Sequence, residues 1–172
     1  VGDPSTRTSV WALPDAGSDA WFRRTIASFA ARGGTAPFRP HVTVCGATPA
    51  AFTRDDVAAA LAGAARFDVA FTRVDDEPVR YRCVTLRADA EPMSALRERL
   101  RPVVHDEGND PYRPHLSLFY GDLDADARRA LIEAAALPTV LPVATIDAVA
   151  LWDTTADSWD EWFELDRWPL VG

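Results

Sequence analysis

The chain has 172 residues, with 18 Lys plus Arg against 26 Asp plus Glu for a net charge of −8, and 48% of its residues are hydrophobic. That balance belongs to an ordinary globular protein folding as a single unit and excludes a disordered chain. Every basic residue is an arginine and no basic run occurs, so the chain is poorly built to grip long nucleic acid, which is held by patches that neutralise phosphates. Small or terminal phosphates suit it better.

No apolar run approaches the roughly 20 residues that span a bilayer, so no membrane partner is expected. The start, Val1-Gly2-Asp3-Pro4, has neither a basic nor an apolar leader segment, which makes a cytoplasmic location the default expectation. Cys45 and Cys83 are too few and too far apart for a disulfide framework or a zinc module and read as half-buried thiols.

In chain order, Thr8 to Leu13 reads as a strand broken by Pro14-Asp15. Ser18 or Asp19 then caps a helix with Phe22, Ile26 and Phe29 at helical spacing, stopped by Gly33-Gly34. After a loop holding Pro37 and Pro40, His41 to Cys45 forms a strand, and Thr53 opens a helix with Val57, Leu61 and Ala65 on one face. Alternation at Phe67, Val69 and Phe71, and again at Val79, Tyr81 and Cys83, predicts two strands hairpinned around Asp75-Asp76. Pro92 suits a helix start, with Met93, Leu96, Leu100 and Val104 as its buried stripe. A loop from His105 to Pro114 leads into a strand at His115 to Phe119. A helix over 124–136 and strands over 143–152 and 159–168 complete the chain, the last two joined around Thr154 to Ser158. Mixed strand-helix-strand units and hairpins predict an α+β class, with a largely antiparallel sheet or two facing sheets.

One internal echo stands out. Phe38-Arg39-Pro40-His41-Val42-Thr43-Val44 matches Tyr112-Arg113-Pro114-His115-Leu116-Ser117-Leu118 in kind at every position: aromatic, Arg, Pro, His, aliphatic, hydroxyl, aliphatic. Each copy ends a proline-broken loop and starts a strand. Alternation puts His41 with Thr43, and His115 with Ser117, on faces opposite the aliphatic residues. If the copies are related by a rough two-fold, two imidazoles and two hydroxyls converge.

Opening a cyclic phosphate needs a base to take a proton from water and an acid to protonate the departing oxygen. Histidine titrates near neutral pH, so a pair can hold opposite protonation states and supply both roles without a metal or cofactor. The Thr43 and Ser117 hydroxyls can donate to the non-bridging phosphate oxygens.

The paired H-x-[ST]-x motif, HVTV at 41–44 and HLSL at 115–118, resembles that of the 2H phosphoesterase superfamily. The segments SVWALPD at 9–15, FRPHVTV, YRCV at 81–84, PHLSLFYG at 114–121 and LWDT at 151–154 resemble the plant and yeast type cyclic phosphodiesterases within it. That resemblance covers essentially the whole chain. It implies one domain of two pseudo-symmetric lobes, a bilobal fold with two antiparallel sheets facing across a central cleft and helices outside. It further implies hydrolysis of nucleoside 2′,3′-cyclic phosphates to 2′-phosphates and of ADP-ribose 1″,2″-cyclic phosphate. His41 and His115 would be catalytic, with Thr43, Ser117, Tyr120 and Trp11 contacting phosphate or base.

Each residue also has a plainer reading. His105 has no partner copy and reads as structural. Trp11 lies in an apolar strand where core packing competes with substrate contact, and Trp152, Trp159, Trp162 and Trp168 read as packing for a hairpin. Arg39 and Arg113 are left open between phosphate binding and surface. A metal site is a weaker rival: it needs a third ligand, and Cys45 shares strand parity with His41. The same motifs would also suit an RNA-end phosphodiesterase or ligase, or a non-catalytic nucleotide or RNA-end binding module. The expected partner is a small cyclic phosphate or nucleotide, with RNA ends as the alternative, and the expected state is a monomer.

Overall fold

The computed structural model describes residues 7–47, 52–106 and 111–172, so Val1 to Pro4 and residues 107–110 of the expected 105–114 loop between the second long helix and the second motif lie outside the described residues. Among the described residues seven strands and four helices follow in the order β1 (Thr8–Pro14), α1 (Ala16–Gly33), β2 (Val42–Ala47), α2 (Arg54–Leu61), β3 (Phe67–Asp76), β4 (Val84–Ala88), α3 (Ala90–Val104), β5 (His115–Phe119), α4 (Ala125–Ala135), β6 (Val143–Asp153) and β7 (Phe163–Pro169). The class is α+β, and all named strands pair antiparallel.

The order is β1-β2-β5-β4-β3-β6-β7, and β6 also pairs with β1. The facing sheets expected from the sequence are therefore hydrogen-bonded into one. Two features join them. β6 is long enough to pair with β3 through Val143–Ile146 and with β7 through Ala148–Asp153. Between β2 and β5 there is one pair, Val42 with Leu116.

The helices form where capping and stripe agree. Asp15, rather than Ser18 or Asp19, caps α1 by accepting from the Ser18 N–H, because the chain turns directly out of Pro14. Thr53 and Asp56 make a reciprocal capping box on α2. α1 buries Phe22, Ile26 and Phe29, and α3 buries Met93, Leu96, Leu100 and Val104. They pack on Val10, Ala12, Val42, Val44, Leu86, Leu116 and Leu118 in the main core. His105 is the left-handed C-cap of α3 at φ 53°.

Three predicted boundaries among the strands move. Asp75 and Asp76 are not a turn but the end of the ten-residue β3. Asp75 binds Arg73 and Arg87, and Asp76 binds Arg128, which carries the strand past its apolar alternation. Val79 to Cys83 is not a strand: after Pro78 a 3₁₀ turn spans Arg80–Arg82, and β4 starts at Val84. Likewise β7 starts at Phe163, because Trp159–Glu161 is a 3₁₀ turn.

Candidate active site

Val42 and Leu116 hold the same position in the two copies of the echo, and they pair with each other. An antiparallel pair between equivalent residues puts a local two-fold axis between them. The neighbouring side chains on the other face then meet crosswise, His41 beside Ser117 and Thr43 beside His115.

The copies share a second irregularity. Along β1–β2 the register runs Trp11 with Thr43, then Val10 with Cys45; along β4–β5 it runs Thr85 with Ser117, then Val84 with Phe119. Each motif strand thus carries one extra residue, Val44 or Leu118, just past its hydroxyl. Such a bulge reverses the facing of the residues after it, and both Cys45 and Phe119 turn into the main core. Gly33 and Gly121 flank the Phe119 ring so closely that a Cβ at either would overlap it.

The polar side chains line a cavity of about 290 Å³, together with Arg7, Ser9, Trp11, Tyr81, Arg82, Tyr120, Thr154 and Trp162. All six residues singled out from the sequence, His41, His115, Thr43, Ser117, Tyr120 and Trp11, reach it. Two arginines and no carboxylate line it; Arg7 pairs with Asp157 and Arg82 with Glu77, both carboxylates lying outside the lining.

Each histidine is held alike. Nδ1 of His41 is 2.7 Å from the Arg39 carbonyl, and Nδ1 of His115 is 2.9 Å from the Arg113 carbonyl. A carbonyl only accepts, so Nδ1 carries the proton and Nε2 is left with its lone pair. Burial drives the His41 imidazole down to about 3, with His115 and Arg39 adding to the effect against the Arg39 carbonyl. Burial also lowers His115, helped by the Arg82 and Arg87 guanidiniums and opposed by the Arg113 carbonyl. Both shifts favour the neutral ring. Arg39 and Arg113 supply carbonyls, and neither side chain lines the cavity.

Trp11 is closed on both faces. His41 stacks on it at 3.5 Å and 6°, Trp152 at 4.4 Å and 16°, and its indole N–H donates to Ser9 Oγ. Its two faces are thus taken up by the His41 and Trp152 rings. Tyr120 is 3% exposed, stacked on Phe38 at 3.8 Å. Ser117 Oγ donates to the Tyr81 carbonyl at 3.0 Å, so its hydroxyl must rotate to donate to a phosphate.

The tryptophans after β6 do more than pack a hairpin. Trp162 lines the cavity beside Tyr81 and Tyr120, with its N–H held by the Ala156 carbonyl. Trp159 meets Tyr120 edge to face; Trp168 is buried in the core. Arg7, Tyr81, Arg82 and Trp162 are site residues the sequence reading did not single out: Arg7 precedes a strand, Tyr81 and Arg82 sit in one 3₁₀ turn inside the YRCV segment that alternation reads as a strand, and Trp162 follows another turn, none of them in the repeated context. Cys45 fails as a metal ligand because the bulge turns it from the cavity. Among the described residues no group of three His, Cys, Asp or Glu side chains is placed to hold a metal.

An α+β sheet with two H-x-[ST]-x strands meeting at a shared cavity defines a 2H phosphoesterase. The model of the 2′-5′ RNA ligase superfamily matches residues 36–158, and the chain belongs to that family. The chain is 30% identical over 132 residues to the cyclic phosphodiesterase of Arabidopsis thaliana, covering 74% of this chain and 72% of that protein, and it is a phosphodiester hydrolase of this family. Solved structures share the fold. E. coli LigT complexed with 3′-AMP matches at TM-score 0.60 and 16% identity, over 99% of this chain and 100% of that one. TT0787 of Thermus thermophilus matches at 0.59 and 16%, over 96% and 98%. No helix among the described residues is long and apolar enough to cross a membrane.

Proposed function

We propose that the protein hydrolyses small cyclic phosphates with His41 and His115 as a paired general acid and base, without a metal, in a single domain of two related halves. The observation that carries this reading is the mirrored placement of two imidazoles, each with Nδ1 on a carbonyl and Nε2 left over, around one cavity. The substrates are nucleoside 2′,3′-cyclic phosphates, opened to 2′-phosphates, and ADP-ribose 1″,2″-cyclic phosphate, opened to the 1″-phosphate.

An entering anionic phosphate raises the affinity of both rings for a proton, and one of them takes it. The neutral ring accepts a proton from water as the water oxygen forms its bond to phosphorus. The P–O3′ bond breaks, and the departing O3′ takes the proton from the imidazolium. The product is a 2′-phosphomonoester, and the proton has passed from one ring to the other. Thr43 and Ser117 donate to the non-bridging oxygens, and Arg82 and Arg7 offset the charge. The nucleobase rests on Trp162 and Tyr81, the cavity aromatics whose rings are only partly covered.

The test is turnover of a 2′,3′-cyclic nucleotide by chelator-treated protein, with ³¹P NMR to place the phosphate on the product. Release of the 2′-phosphate supports the reading. No turnover, or turnover lost on chelation and restored by a divalent ion, refutes it.

A further inference from the structure

The first position of the echo, Phe38 and Tyr112, is aromatic in both copies and plays no part in the chemistry above. Each ring reaches across to the other copy. Phe38, on the arm into His41, stacks on Tyr120 just past β5. Tyr112, on the arm into His115, donates its hydroxyl to the Thr43 carbonyl of β2 at 2.8 Å. The helices cross likewise: α1, which follows β1, packs on β5, and α3, which follows β4, packs on β2.

β2 and β5 share one paired residue, so the ladder alone does little to fix their spacing. The Tyr112 hydroxyl spans that gap. Its ring is seated on the Arg97 guanidinium, 4.9 Å from the ring centroid. Arg97 is in turn fixed by a buried ion pair with Asp106 at 2.9 Å, the side chains being 8% and 5% exposed. Arg101 Nε donates to the Asp106 carbonyl at 3.1 Å, which ties the end of α3 to the same cluster.

We propose that Tyr112 is a positioning residue: its hydrogen bond to the Thr43 carbonyl, backed by the Arg97–Asp106 pair, sets the separation of the His41 and His115 arms. The copies are unequal here, since Phe38 has no hydroxyl and braces by stacking alone. The inference rests on the paired-histidine reading only for its kinetic readout.

The test is Tyr112→Phe, which keeps the ring and removes the donor. Displacement of about 1 Å at a reacting group costs on the order of 10²-fold. The expected result is a 10- to 100-fold lower kcat on a 2′,3′-cyclic nucleotide, with KM within about threefold, measured well below the melting temperature. Asp106→Asn, which keeps the hydroxyl but weakens its backing, should lose less. NMR of [¹³Cε1]-histidine gives a readout that needs no turnover. In Tyr112→Phe the His41 and His115 resonances should shift while that of His105 stays in place. Native kcat with all three resonances unmoved overturns the proposal, even if the melting temperature falls. If wild type turns over no cyclic phosphate but the two ring resonances still move, the brace stands and the assigned reaction fails. Should Tyr112→Phe not fold, Asp106→Asn carries both readouts, and native values in it overturn the proposal.

Discussion

Acidification should destabilise this protein through His41 by an amount the structure sets. Burial holds the folded ring down to about 3, against 6.5 for a free one. Above pH 6.5 both folded and unfolded chains carry it neutral. As pH falls below 6.5 the unfolded chain takes up a proton that the native site refuses, so stability is lost from there down to the folded value. At about 1.4 kcal/mol per pH unit, going from pH 7 to 5 costs on the order of 2 kcal/mol, or about 4–8 °C in melting temperature for a chain of this size. The comparison is with His41→Asn, whose side-chain N–H can still meet the Arg39 carbonyl but does not titrate. Urea unfolding of both proteins at pH 7 and 5 cancels the contributions of carboxylates and leaves the His41 difference. If both lose the same stability to within about 0.5 kcal/mol, the ring is not held neutral, and the account of the free site is wrong.

His41→Ala and His115→Ala should each lower turnover of a 2′,3′-cyclic nucleotide by on the order of 10²–10⁴-fold, and either variant should flatten one limb of a bell-shaped pH–rate profile; steady-state kinetics across pH decides it. Trp162→Ala should lower kcat/KM for a cyclic nucleotide about 5- to 150-fold, the scale of base stacking at about 1–3 kcal/mol. A cyclic phosphate lacking a base should be unaffected, and equal loss on both would remove Trp162 from base binding. Gly33→Ala, forcing a methyl into the Phe119 ring, should cost about 1–3 kcal/mol in urea unfolding. A stability unchanged from wild type would contradict that contact.

The paired motif was legible because it was written twice. A strand's alternation places His41 with Thr43 and His115 with Ser117 whatever surrounds them, and proline before each histidine marks the start of each strand. Helix positions followed from the stripes Phe22-Ile26-Phe29 and Met93-Leu96-Leu100-Val104, since apolar spacing alone decides which face is buried. Alternation misled where local order was overridden: Val79, Tyr81 and Cys83 alternate like a strand, yet Pro78 and the 3₁₀ turn end that pattern.

The amino-acid order by itself determined which groups could do acid-base work and that each would sit at a strand start with a hydroxyl two residues on. Only the tertiary structure decided that Val42 would pair with Leu116, which brings the copies face to face. It alone decided that the bulges would turn Cys45 away, that Trp152 would close the second face of Trp11, and that Trp162 and Arg82 would reach the cavity. The physical reason is that alternation and capping act over a few residues, whereas strand pairing, bulges and ring stacking are settled by segments that meet only when the whole core packs.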